Sequence, residues 1–386
     1  MKAGSLPRVP RFSQRFCAVL RPAGMRGIMR GMTSEQSPQR RPFRAASQAG
    51  LAWICLWVWG GPALAELALH PPDVPAHFPQ MVSVPAGAFE MGRRDEGDDT
   101  HGAGDELPRH RVWLDAYRIG RYEVTNAEYA AVLDWALKEG RIDPFTDGDL
   151  HVNGRPILRV TSRYCQVVCV EGAFLIKNIG AHPMDRHPVV MVTWYGAVAF
   201  CNWLSEMRGL PRCYDLDTWE PRLPWADGYR LPTEAEWERA AAWDPDATPS
   251  HRVYAFPHDR IDLSWCNHRY SVDAVWANPL GLVDAPRTSP VGFYDGEHFN
   301  DAPSPVGCYD MSGNVWEWCH DRYAADYYAR TPAVDPRGPK TGERRVERGG
   351  GWNGSELYCR TAKRNFDAPD FAFFDLGFRV TRSGAS

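Results

Sequence analysis

The residues of this 386-residue chain through which chemistry can run are its ten cysteines, twelve histidines and dense carboxylates. Thiolates are soft ligands and nucleophiles, imidazoles are bases and ligands, and carboxylates are hard ligands or acid–base groups. Cys165 and Cys169 look like a metal pair. In one extended strand, however, their Cα atoms stand about 13 Å apart, beyond disulfide reach unless a tight turn intervenes. Distant pairings, for example among Cys213, Cys266, Cys308 and Cys319, are the expected alternative, with connectivity open. Cys319 and His320 are adjacent, which puts a would-be nucleophile and base on opposite faces of an extended chain. Cys359 reads most simply as a buried thiol or half of a disulfide.

The segment Asp310 to Glu317 carries oxygen chemistry. Calcium takes six to eight oxygens, and a glycine-containing turn can aim carbonyls at one point while two carboxylates supply charge. The competing reading has Glu317 capping backbone amides while Trp316 and Trp318 pack the core. The acidic stretch Asp95 to Glu106, with glycines at 97, 102 and 104, reads as a solvated, mobile loop.

Three capped helices must position these groups. Thr125 and Glu128 form a capping box, followed by Tyr129, Val132, Leu133 and Ala136 at helical spacing and Gly140 as a stop. Thr193 caps a second helix with Ala197, Phe200, Cys201 and Leu204 inward and Gly209 after it. Thr233 and Glu236 open a third, holding Trp237 and the alanines at 240–242. Strand candidates are short: Met81–Val84, Phe89–Met91, Arg111–Leu114, and a hairpin of Tyr164–Val170 with Phe174–Ile176 around Glu171-Gly172. With 34 glycines, 32 prolines and 16 tryptophans, much of the backbone should be turns pinned by aromatics. The class implied is α+β with small antiparallel sheets.

Residues 1–65 hold ten basic side chains against one acid and end in the apolar run Leu51–Trp59 and Ala63-Leu64-Ala65, the layout of a cleaved secretory signal. The run is short for a membrane span, so a membrane is met only through the leader if it stays uncleaved. Arg40-Arg41-Pro42-Phe43 resembles a twin-arginine signal, hence a periplasmic or secreted location. Residues 66–78 read as a linker and 79–386 as one domain. Beyond Ala65 there are 34 basic and 47 acidic residues, a poor balance for nucleic acid.

Several blocks then align with one family. They are Val84-Pro85-Ala86-Gly87 through Met91-Gly92, Tyr122-Glu123-Val124-Thr125-Asn126, His187-Pro188-Val189 with Thr193-Trp194, and Tyr229-Arg230-Leu231-Pro232-Thr233-Glu234-Ala235-Glu236-Trp237-Glu238. Tyr309-Asp310-Met311-Ser312-Gly313-Asn314-Val315-Trp316-Glu317-Trp318, Arg348-Gly349-Gly350 and Leu376-Gly377-Phe378-Arg379 complete the set. Together, in this order, they resemble the formylglycine-generating enzyme (sulfatase-modifying factor) family.

The resemblance implies a C-type-lectin-like domain of low regular structure with structural Ca2+. The ligands would be the Asp310 side chain, the Gly313 and Val315 carbonyls and the Glu317 carboxylate. A doubtful second calcium site would use Asn267 and His268, because Asp284 falls one position out of place. Active members bind copper(I) through a Cys-x4-Cys pair after the Arg-Gly-Gly block. Here that segment offers only Cys359 in a shortened stretch, so copper chemistry is not expected and Cys359 is the one catalytic candidate. Cys201 falls at a family disulfide position whose partner here is Val380. The family's groove would be lined by Trp352, Asn353, Glu356, Arg360, Arg364 and Asn365. Arg360 and Arg364 would either orient a carboxylate or peptide backbone or serve structurally.

The function implied is an accessory or maturation factor, a monomer acting on an exported protein or peptide-derived substrate without copper–cysteine chemistry. The alternatives are an active sulfatase-modifying oxidase converting cysteine to formylglycine, and a calcium-stabilised lectin-like binding module. An ergothioneine-type iron oxidase would need an extra helical domain that nothing before Met81 encodes.

Overall fold

The computed structural model describes residues 68–94, 99, 101–143, 148–246, 250–269, 278–282 and 284–384. The leader and Asp95 to Asp98 lie outside them. In chain order the strands are β1 (Leu69–His70), β2 (Met81–Val84), β3 (Gly87–Met91), β4 (His110–Leu114), β5 (Tyr117–Gly120), β6 (Leu150–Val152) and β7 (Arg155–Leu158). They continue with β8 (Val167–Val170), β9 (Ala173–Lys177), β10 (Trp316–Arg322), β11 (Arg345–Arg348), β12 (Asn365–Asp367), β13 (Leu376–Gly377) and β14 (Thr381–Ser383). The helices are α1 (Asn126–Lys138), α2 (Trp194–Met207) and α3 (Glu234–Ala242). This is the expected α+β class of small sheets and a few helices.

All three helices start where their caps dictate. Thr125 and Thr233 accept from the amides of Glu128 and Glu236, whose carboxylates reach back to the cap residues, and Thr193 accepts from Gly196. Helix α2 is buried all round from Trp194 to Ser205 and forms the centre of the largest core cluster, with Tyr129 stacked on Phe200 at 5.4 Å. Helix α3 carries four charged residues and is also fully buried, which is possible because its acids are ion-paired.

Two expectations shift. Strand β8 begins at Val167 rather than Tyr164, because Ser162 to Cys165 closes as a turn in which the Cys165 amide bonds to the Ser162 carbonyl. Glu171 and Gly172, both at positive φ, turn β8 into β9 as anticipated. The stretch read as a linker contributes β1, which pairs Leu69 with Lys177 and His70 with Ile176.

Four strands form the sheet beneath the candidate site, in the order β12-β11-β10-β13, antiparallel except for the parallel β10–β13 pair. The expected distant disulfides do not form, and no disulfide joins any of the eight described cysteines. Cys213, Cys266 and the pair Cys308 and Cys319 lie in three different core clusters, so packing keeps most of these thiols apart. Cys201 packs as a free thiol in the same cluster as Val380.

The largest buried side chains include four arginines, Arg348, Arg360, Arg364 and Arg379. Arg379 grips both oxygens of Glu317 at 2.6 Å and donates to the carbonyls of Gly120 and Tyr309 at 3.0 Å. Replacing Arg379 with Met should therefore leave an uncompensated buried Glu317. We expect a loss of about 3–5 kcal/mol in urea unfolding, and Glu317→Gln in the same background should restore part of it.

Candidate functional site

The segment after β11 is bent by two consecutive glycines, Gly349 and Gly350, both at positive φ. A Cβ at Gly350 would lie 2.7 Å from the Tyr358 carbonyl and 3.0 Å from Cys359 Cα, so only glycine lets the segment fold back on itself. The return is made by a short 3-10 turn, Glu356–Tyr358.

Asn314 ties three segments together. Its amide donates to the Asn267 carbonyl at 2.8 Å, and its own carbonyl accepts from the Trp352 amide at 2.8 Å. The Arg269 amide bonds to the Gly354 carbonyl, also at 2.8 Å. Residues 266–269 are thereby laid against residues 349–359.

This lacing changes the reading of Cys359. Cys359 and Cys266 share one buried cluster, and their thiols interact directly. Burial, then the Cys359 thiol, pushes Cys266 well above the ordinary thiol range, and His268 Nδ1 lies 3.5 Å from its sulfur. Burial also lowers the His268 pKa, favouring the neutral imidazole. Cys359 thus has a neighbouring thiol, contributed by a distant segment. A Cys-x4-Cys pair would place its mate at residue 354, which is glycine. The signal that could have found Cys266 is its position one residue before Asn267 and His268, already suspected of ligation.

Around this turn runs an aromatic ledge. Tyr358 meets Trp316 at 6.1 Å, Trp352 packs on Phe374 at 5.2 Å, and Phe374 lies 4.0 Å from Phe373. Tyr358 and Phe373 are 47% and 38% exposed, while Trp352 is buried with its indole NH on the Phe374 carbonyl. Asn353 and Glu356 are half-buried at its edge.

The two groove arginines prove structural. Arg360 binds Glu106 through two nitrogens at 2.8 and 2.9 Å and Asp99 at 3.0 Å, all buried. Arg364 binds Glu234 at 2.7 and 2.9 Å and packs over Tyr328. Neither guanidinium is available to a substrate. The same contacts correct the reading of the acidic stretch, since two of its described acids, Asp99 and Glu106, are buried partners of Arg360 and a third, Asp105, accepts from the Tyr323 hydroxyl.

Asn365 does face the site, donating to Glu347 at 2.6 Å. Sequence reasoning missed Glu347 and Asp375. Burial, then Asp367, pushes the Glu347 carboxyl well up, and burial brings Asp375 to about 7. Asp375 also accepts from the Trp316 amide through its carbonyl at 2.7 Å, which sets it under the ledge.

The calcium ligands implied by the family fit in part. Both Glu317 oxygens are held by Arg379, and one also accepts from the Trp237 indole at 2.9 Å, so an arginine stands where a cation would take charge from Glu317. Gly313, at positive φ, has its amide bonded to the Gly349 carbonyl, and Val315 is fully buried. Asp310 does fit. Its carboxyl, raised to about 6 by burial, interacts with Glu123, whose Oε2 is buried without a partner. At the second implied calcium site the Asn267 side chain donates to the Arg287 carbonyl at 2.8 Å and Asp284 is exposed.

Fold and site together define a loop-rich α+β domain in which a glycine-bent turn lays two buried thiols beside an aromatic ledge. The sulfatase-modifying factor enzyme 1-like domain matches residues 68–384. The chain is 32% identical to the formylglycine-generating enzyme of Thermomonospora curvata, over 80% of this chain and 96% of the relative. Among solved structures it is similar to Treponema denticola variable protein 1 (26% identity, TM-score 0.52, 79% and 95% coverage) and to PvdO from Pseudomonas aeruginosa (26%, 0.50, 79% and 94%). The chain belongs to the formylglycine-generating enzyme family.

The raised Asp375 carboxyl has a pH signature. A carboxyl whose folded pKa is near 7 and whose unfolded pKa is about 3.9 contributes stability at low pH that is lost as pH rises through about 7. Asp375→Asn should flatten that part of the stability–pH curve and leave the variant relatively more stable at pH 8, as read by urea unfolding across pH 4–8.

Proposed function

We propose that this chain is an exported accessory or maturation factor that works on a protein or peptide-derived substrate laid across the aromatic ledge, without the copper chemistry of a Cys-x4-Cys pair. The observation that carries this reading is Gly354 at the position of the missing thiol. The ledge supports the substrate class, because exposed aromatics flanking a buried tryptophan suit an extended peptide. Export and a periplasmic or secreted location are part of the proposal and rest on the leader.

One observation favours a second reading, a sulfatase-modifying oxidase. Cys266 beside Cys359 could supply two soft sulfur ligands from separate segments. Both residues are buried, so the ligand set fits copper(I) in type although not in sequence order. Copper would then activate O2, and the chain's own part would be to hold the substrate peptide on the ledge and to supply the two thiolates.

The full mature protein, incubated with copper(I), O2 and a Cys-x-Pro-x-Arg peptide, separates the two. We expect no aldehyde by mass spectrometry. Aldehyde that disappears in both Cys359→Ser and Cys266→Ser would establish the oxidase instead.

A structural calcium ion is also proposed, centred on Asp310 with Glu123 taking the role sequence comparison gives to Glu317. Two buried carboxylates face each other, opposed by Arg379, whose hydrogen bonds go to Glu317 and backbone carbonyls, and the excess negative charge is what a divalent cation discharges. Calcium should raise the melting temperature by a few degrees over EGTA-treated protein. Asp310→Asn should abolish that difference, and identical melting curves with and without EGTA would remove calcium from the account.

A further inference from the structure

Between the end of α3 at Ala242 and the start of β10 at Trp316 the described residues hold no helix or strand, and this long stretch is kept in place by turns, isolated bridges and packing. Its closest attachment to the turn after β11 lies at Cys266. Just beyond it, the Asn267 carbonyl accepts from the Asn314 amide and the Arg269 amide donates to the Gly354 carbonyl, each at 2.8 Å. Two glycines make room for the approach. A Cβ on Gly313 would lie 3.2 Å from the Cys266 sulfur, the Gly313 amide bonds to the Gly349 carbonyl at 2.8 Å, and a Cβ on Gly350 would lie 3.0 Å from Cys359 Cα. The two cysteines therefore reach one buried cluster from separate segments, among Tyr254, Phe256 and Tyr294, and their thiols meet there.

We propose that Cys266 and Cys359 are the site of an oxidative modification, a disulfide that staples residues 266–269 to the turn carrying Tyr358. This rests on the reading of an exported protein, because such bonds persist in oxidising compartments. The co-reactant is a disulfide-bearing oxidant, either a thiol–disulfide oxidoreductase or oxidised glutathione. Cys359 attacks one sulfur of that disulfide and expels the first thiol. Cys266 then attacks Cys359 in the mixed disulfide and expels the second. One S–S bond breaks and one forms, two electrons pass to the oxidant, and the two cysteine protons finish on its two reduced sulfurs. Cys359 goes first because it ends a three-residue 3-10 turn whose Leu357 and Tyr358 are 41% and 47% exposed, a segment that local opening can present to a reactant. The bond constrains the chain between residues 266 and 359, where few ladders do so, and fixes the ledge at Tyr358. It also consumes both sulfurs that a copper ion would need.

The test incubates the full mature protein in oxidised glutathione or in a reducing phosphine, denatures it in alkylating reagent and maps the peptides by mass spectrometry. A peptide pair joining Cys266 to Cys359, two hydrogens lighter than the separate thiol peptides, is expected in the oxidised sample alone. Oxidised protein should melt about 5 °C or more above reduced protein, as closure of a long loop predicts. Cys266→Ala and Cys359→Ala should each remove that difference, and Cys308→Ala, in another cluster, should keep it. Alkylation of both residues after oxidation, a link from either one to a different cysteine, or a glutathione adduct stalled on Cys359 overturns the cross-link. The map is read on the wild-type chain, so an alanine variant that fails to fold does not alter the decision. Export is judged separately, by finding the leader-cleaved chain outside the cytoplasm. A cytoplasmic chain that still links would remove the compartment and leave the site, whereas an exported chain that fails to link would do the reverse.

Discussion

Buried arginine–carboxylate pairing is the constraint on which the rest of this structure depends. A domain whose strands run two to seven residues has few ladders to hold its loops. Arg379 joins β10 to the carbonyls of Gly120 and Tyr309, Arg364 and Arg348 converge on Glu234 at the start of α3, and Arg360 draws in the loop carrying Asp99 and Glu106. Each guanidinium has donors enough to serve a carboxylate and one or more carbonyls together, which lysine cannot do in a fixed plane. Such pairs repay their desolvation only when fully bonded. That requirement fixes the relative positions of segments that no sheet connects.

The candidate site is built on the same frame but by a different device. Arg348 anchors the end of β11, and Gly349 and Gly350 then turn the chain so that residues 351–359 double back. Asn314, itself at positive φ, spends its backbone groups on Asn267 and Trp352 and its side chain on Glu123 and Ser289. One asparagine therefore couples the calcium candidate at Asp310 to the thiols at Cys266 and Cys359 through a few hydrogen bonds.

What was legible in the sequence was local. The caps at Thr125, Thr193 and Thr233 act within three residues, and the Glu171-Gly172 turn is a property of two, so each declared itself. The family blocks supplied the scaffold. What stayed open was long-range: Arg360 read equally as a substrate ligand or a structural residue because its partners Asp99 and Glu106 lie far back in a stretch whose glycines suggested mobility. Cys359 looked solitary because Cys266 reaches it only through the Asn314 turn. Glu347 and Asp375 carry no motif. Their raised carboxyls arise from burial in the folded chain, which spacing along a sequence does not encode.

The buried acids fall into a set paired with arginine and a set that is not. A protein that buries Glu106, Glu234, Glu238 and Glu317 against arginines has the means to neutralise Glu347 as well, and a basic residue on the facing loop would stabilise the fold. Instead the groups that act on it are Asn365, Asp367 and Asp375, and the nearest opposing charge, Arg344, acts on Asp367. Other buried acids share that state, Glu123, Asp310, Glu128 and Asp321 among them, so carboxyls pushed up by burial are a feature of several regions of the core and not of the ledge alone. The arginines that look available for recognition are consumed by the fold, whereas Glu347 and Asp375 are buried without one.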